Sequence, residues 1–278
     1  MIWIVSIALL VIVGFLLDRE IYFYEGVHLG PRVQAWLYDR WSKKYDVGKQ
    51  ASQLHDDEML AAPLLESLKN ANLTDPLVLD FATGTGRLSY ALLRRADFKG
   101  HIIALDLSQG MLERAAAKLA STASRARVEL LRQPSLPLPF PDAAFDVVCA
   151  LEVLELFPSM DEPLRELARV LRPGGILLTS RGTEESGRRA KVKSKSGFST
   201  LLTANGFESS QITPWWKLFD RVLARRSGTS QPVKVRGLSS VMLCPICSEI
   251  GWQEEPERWI CQHCGKELLI TKEGIVLR

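Results

Sequence analysis

The sequence predicts an α/β fold: a doubly wound, mostly parallel sheet, preceded by an N-terminal hydrophobic helix and followed by a small cysteine-paired module. Three observations carry this. From residue 76 onward, short apolar runs alternate with helix-length segments. A loop of small residues joins the first run to its helix. Two Cys-x-x-Cys pairs, Cys244 with Cys247 and Cys261 with Cys264, stand near the end. At 278 residues the chain has room for one full α/β domain and a smaller unit. A net charge of +3 is too small to argue for nucleic acid by itself.

In order, the expected parts are an apolar segment at 1–20, a helical extension at 21–75, the α/β domain at 76–226, a linker at 227–240 and the cysteine module at 241–278. Only Ser6 and Gly14 interrupt the apolar run over residues 1–17. As a helix it spans about 25 Å, at the short end of what crosses a bilayer. Trp3 near one end, and Tyr22, Phe23 and Tyr24 past the other, are placed as interfacial aromatics would be. No basic segment precedes the run and no small-residue cleavage site follows it. An uncleaved transmembrane anchor is therefore expected over a signal peptide or a core helix. Arg19, Arg32, Arg40, Lys43, Lys44 and Lys49 all follow the run. The positive-inside rule then gives a single-pass membrane protein whose remaining chain faces the cytoplasm. Unpaired thiols agree with a reducing compartment, and Cys149, in the apolar run 145–151, reads as a buried structural thiol.

Residues 32–70 read as helical, with Trp36, Leu37, Tyr38, Trp41 and Tyr45 on an aromatic face and Pro63 in the first turn of the last helix. They form either a cap over the next domain or plain core. Strands are expected at 77–81, 101–106, 128–131, 145–151, 175–179 and 221–225, and helices at 87–95, 109–120, 160–171 and 198–204. The polar stretch 182–197 carries Arg188, Arg189, Lys191, Lys193 and Lys195. A solvated loop is the plain reading, and a phosphate or lipid-headgroup contact the sharper one.

The decisive segment is Asp80-Phe81-Ala82-Thr83-Gly84-Thr85-Gly86, which leads from strand to helix. Small residues let the backbone approach a ligand, and a helix N-terminus favours an anionic group. Such a Rossmann-like turn suits nucleotide-like ligands generally. The dinucleotide fingerprint G-x-G-x-x-G fails here, because its third glycine falls on Ser89. Asp106 ends the next strand, where a carboxylate can accept both hydroxyls of a ribose in either cofactor family.

The loop resembles the first motif of the class I methyltransferases that use S-adenosylmethionine, an acid followed by G-x-G-x-G, with Ala82 for the first glycine and Gly84 and Gly86 for the others. Further on, Leu138-Pro139-Phe140-Pro141-Asp142, Glu152-Val153-Leu154-Glu155 and Leu171-Arg172-Pro173-Gly174-Gly175 follow in order. With Tyr38-Asp39-Arg40-Trp41 and Tyr45-Asp46 ahead of them, they resemble the ubiquinone and menaquinone biosynthesis methyltransferases over about residues 36–225. The resemblance implies S-adenosylmethionine binding by Asp80, Ala82, Thr83, Gly84, Gly86, Asp106, Leu107, Gln133 and Glu152. Two positions depart from the pattern. Pro134 replaces an acid that binds the adenine amino group, so Gln133 serves through its amide oxygen or the contact is absent. Leu156 replaces a histidine after the Glu-Val-Leu-Glu run. His28, His55, Asp46, Tyr45 and Glu155 are candidate bases by type, and none declares itself catalytic.

Cys244, Cys247, Cys261 and Cys264 can supply four thiolates to one Zn²⁺, a closed structural site in a module too small to fold on its core alone. His263 is a spectator in this reading, and a redox role is the alternative. The module resembles the zinc-ribbon activator subunit that partners several methyltransferases. The expected function is methyl transfer to a small or lipid-soluble acceptor at the membrane. RNA or protein guided by the ribbon, or a non-catalytic scaffold, are the alternatives.

Overall fold

A computed structural model describes residues 2–122, 127–134, 136–186, 192–234 and 237–278. Three helices open the chain: α1 (Ile2–Tyr22), α2 (Pro31–Gln53) and α3 (Ala62–Asn70). The α/β part then runs β1 (Leu77–Phe81), α4 (Arg87–Leu93), β2 (His101–Asp106), α5 (Gln109–Ala120), β3 (Arg127–Arg132) and β4 (Phe145–Ala150). It continues with α6 (Asp161–Val170), β5 (Leu171–Gly182), α7 (Lys195–Ala204), β6 (Phe207–Trp216) and β7 (Phe219–Arg226). The cysteine module adds β8 (Trp252–Glu254), β9 (Arg258–Cys261), β10 (Glu267–Ile270) and β11 (Ile275–Leu277).

All the strands form one sheet in the order β6-β7-β5-β4-β1-β2-β3-β11-β10-β9-β8. From β5 to β11 the neighbours are parallel, and β7 is antiparallel to β5. β1, β2 and β4 are buried at every residue, as expected of strands covered by helices on both faces. The order reverses between β1 and β4, so the carboxyl ends of those strands open a crevice there.

β6 had no counterpart among the expected strands. It is an edge strand with little burial, and Pro214, which donates no hydrogen bond, is tolerated only at such an edge. β5 starts earlier than expected, because its Leu171 pairs with Phe145 ahead of the turn at Gly174. The described residues 227–234 and 237–240 are docked on the domain. Val233 N–H donates to Asp146 (3.0 Å), Arg172 donates to the Ser230 carbonyl (3.1 Å), and Leu238 is fully buried.

A transmembrane anchor is not supported. The segment is helical, but among the described residues no helix is long and apolar enough to cross a membrane. Asp18, Arg19 and Glu20 end the apolar run inside α1. What precedes them is about 24 Å long at 1.5 Å per residue, against a hydrocarbon core of about 30 Å. Trp3, Leu10 and Phe15 on α1 stand exposed.

Candidate functional site: a two-chambered cavity at the sheet switch point

Asp80, next to last in β1, is buried, and its Oδ2 accepts hydrogen bonds from the hydroxyls of Thr83 and Ser89, both at 2.7 Å. Asp80 thus holds the loop in shape, and burial raises its pKa. Ala82, Gly84 and Gly86 all take positive φ, at 54°, 56° and 75°. At Gly84 a side chain would meet nothing, so the absent Cβ leaves room above the loop, whereas at Gly86 a Cβ would press on Ala115 at 3.2 Å. One glycine clears space for a ligand and the other lets α5 pack closely.

Asp106 is the carboxylate beside that space. It is 6% exposed, and its oxygens accept from Gly84 N–H (2.8 Å) and Ser108 N–H (2.9 Å). Burial pushes its pKa up to about 6, against the hydrogen bonds that lower it. A carboxylate drawn from water in this way gains from hydroxyl donors. Asp106, Leu107, Gln133, Gly84 and Leu156 line a cavity of about 250 Å³. A narrower recess over the loop is lined by Asp80, Thr83, Thr85 and Arg87. Together these walls fit a nucleoside with a short polar tail.

A second chamber, of about 360 Å³, lies alongside. Tyr22, Trp41, Phe219, Glu25 and Glu155 form its walls. Tyr45 and Glu152 border both chambers and the recess. Glu152 sits at φ 55°, its N–H donates to Ser180 Oγ at 2.7 Å, and its carboxylate is paired with Arg87 (2.7 Å) and Lys49. Such a backbone conformation costs of order 1–3 kcal/mol in a residue with a side chain. These bonds hold it.

α2 roofs the site and is pinned to the domain by two aspartates. Asp39 accepts from Ser108 Oγ (2.6 Å) and Gly110 N–H (2.8 Å). Asp46 accepts from Thr85 Oγ1 (2.6 Å) and Lys118 (2.9 Å), whose donation keeps its pKa low despite burial. Asp46 is therefore a latch. Tyr38 and Tyr45 come one above the other on α2 and both line the cavity, with Tyr38 donating to Glu25. Their seven-residue spacing, two helical turns, was the available signal for a shared face. Glu25, Lys49 and Arg87 had no signal of their own.

Among the candidate bases, Tyr45 and Glu155 face the second chamber. His28 instead pairs with Glu20 (2.9 Å), and His55 lies at the surface near Glu58. Gln133 lines the cavity, and Arg278 donates to its amide oxygen at 2.9 Å. Pro134 is exposed. Arg188, Arg189 and Lys191 lie outside the described residues, and Lys195 stands 3.9 Å from Asp220.

The four cysteines converge. Their sulfurs all lie within 4.8 Å of one another, with Cys244 and Cys264 at 3.5 Å and Cys247 and Cys261 at 3.6 Å. Tetrahedral thiolates at about 2.3 Å from an ion stand roughly 3.8 Å apart, so the cluster fits one metal ion. The fifth cysteine, Cys149, is fully buried on β4.

Residues 78–175 match a family model described as a methyltransferase domain. The demethylmenaquinone methyltransferase of Lactobacillus johnsonii is 35% identical over 133 residues, covering 46% of this chain and 54% of that protein. The ubiquinone/menaquinone biosynthesis C-methyltransferase UbiE of Vibrio vulnificus is 37% identical over 101 residues, covering 36% of this chain and 39% of that protein. The chain thus spans about half or less of the length of these curated relatives. A solved structure, the SAM dependent methyltransferase from Aquifex aeolicus, shares the fold with a TM-score of 0.52 at 21% identity, over 67% of this chain and 97% of that one.

Proposed function

We propose, from a chain that carries a class I S-adenosylmethionine-dependent methyltransferase domain, that it transfers a methyl group to a small or lipid-soluble acceptor held in the aromatic chamber. The observation that carries this is the shared wall of Tyr45 and Glu152. A donor lying over the Gly84 loop and an acceptor in the second chamber would meet there. The names of the menaquinone and ubiquinone enzymes support a small acceptor by likeness.

The donor supplies a methyl group already activated on its sulfonium. The chain supplies alignment and exclusion of water. Asp106 would hold the ribose, the N-terminal end of α4 and the loop amides the polar tail, and Tyr45 the boundary with the acceptor. An acceptor that must lose a proton would find Glu155, 5% exposed, in the chamber wall. In this reading Cys244, Cys247, Cys261 and Cys264 hold a structural Zn²⁺ that orders the module.

Calorimetric titration of S-adenosylmethionine, with Asp106→Ala as control, tests the donor site. Transfer of labelled methyl groups to quinols and lipids then tests the acceptor. Micromolar binding abolished by the control is expected. A folded protein that binds no donor would leave a non-catalytic scaffold.

A further inference from the structure

β11 enters the sheet parallel to β3, with Ile275, Val276 and Leu277 beside Leu130, Leu131 and Arg132. A parallel strand brings its carboxyl end to the same edge as its neighbours, and in an open α/β sheet that edge binds ligands. Three strand ends therefore lie side by side. Asp106 ends β2, Gln133 follows β3, and Arg278 follows β11.

Their backbones are stitched in sequence. Gln133 N–H donates to the Asp106 carbonyl at 3.0 Å, and Arg278 N–H donates to the Arg132 carbonyl at 3.1 Å. Between the side chains, Arg278 Nη1 donates to Gln133 Oε1 at 2.9 Å. Gln133 is 4% exposed and lines the nucleoside cavity. A guanidinium has donors and no acceptor, so only the amide oxygen can face it. The amide nitrogen is left for the Pro137 carbonyl, 3.4 Å away, and for an occupant of the cavity.

We propose that Arg278 is a positioning residue of the donor site. By holding the Gln133 oxygen it sets the amide to present an N–H to a ring nitrogen of the donor's purine, and it ties donor affinity to the docking of the cysteine module. This rests on the reading of the cavity as the S-adenosylmethionine site. Without the guanidinium nothing holds that orientation, and a turned amide opposes its oxygen to an acceptor nitrogen, so the hydrogen bond to the purine is lost.

The test is calorimetric titration of S-adenosylhomocysteine into the full chain carrying Arg278→Ala, Arg278→Lys, Gln133→Ala or Arg278→Ala with Gln133→Ala. Melting temperature and metal content are measured on each. Arg278→Ala should raise Kd about fivefold to tenfold, the worth of the one neutral hydrogen bond that the amide gives the purine. Lysine, also donor-only, should restore most of it. In the Gln133→Ala background the Arg278 change should add nothing, a coupling that general loss of structure would not produce. Unchanged affinity in Arg278→Ala, an equal loss in both backgrounds, or a lysine variant as weak as alanine would overturn the proposal. A folded wild-type chain that fails to bind would instead overturn the donor-site reading, and this inference with it.

Discussion

Arg87 Nη1 stands 2.7 Å from Glu152 Oε1, joining the start of α4 to the loop after β4. The same guanidinium also donates to Asp56 (2.8 Å from Nη2) and lies over the Trp215 ring at 4.5 Å. The guanidinium therefore bridges two carboxylates that would otherwise repel each other under α2, with Lys49 as the second partner of Glu152. Burial raises the pKa of Asp56, and Arg87 opposes that rise.

Arg87→Ala leaves both carboxylates buried without that partner. Loss of one member of a buried pair costs about 3–5 kcal/mol. Urea denaturation followed by circular dichroism should show a loss of that order, together with weakened donor binding. A loss under about 1 kcal/mol, the worth of an exposed pair, would show that the network is solvated.

Donor binding should weaken in acid. Asp106 has its pKa raised to about 6, above the usual value of about 3.9. The empty fold therefore favours the protonated form, and its stability contribution is lost as pH rises through about 6. Ribose hydroxyls need the carboxylate as acceptor. Affinity should be full near pH 7.5, fall below about pH 6 and approach tenfold loss per pH unit, with proton release seen as buffer-dependent enthalpy. Asp106→Asn should flatten this profile.

On the reading that the cysteine cluster holds a metal ion, its removal should loosen the α/β sheet as well as the module. β3 is paired to β11 along Leu130, Leu131 and Arg132, and Leu238 N–H donates to Glu129 at 2.7 Å. Unzipping that edge exposes unpaired backbone and apolar surface. A chelator should lower the melting temperature and increase amide exchange in residues 127–132. Exchange confined to residues 241–278 would separate the two parts.

Gly110→Ala should pull α2 from α5. A Cβ at Gly110 would lie 2.9 Å from Ser42 Oγ and 3.1 Å from the Asp39 Cα. Overpacking of this kind costs typically about 1–3 kcal/mol. The roof over the cavity would shift, so Kd for the donor should rise along with the loss of stability. An unchanged Kd would show that α2 does not shape the donor chamber.

Local chemistry was legible in the chain before any fold existed. The turn 80–86, the carboxylate at 106 and the paired cysteines are encoded within a few residues each, because backbone freedom, helix ends and metal ligation act over short spans. Buried strands such as β1 and β2 announce themselves as apolar runs for the same reason. Nothing local marks β6, whose exposed edge carries polar residues and Pro214. Nor could spacing place Arg278 beside Gln133 or Arg87 beside Glu152, since contacts across 145 and 65 positions exist only once strands have paired. Chain neighbourhood wrote the site's parts. Their assembly into two chambers, and the joining of the cysteine module to the sheet, came from long-range pairing and burial.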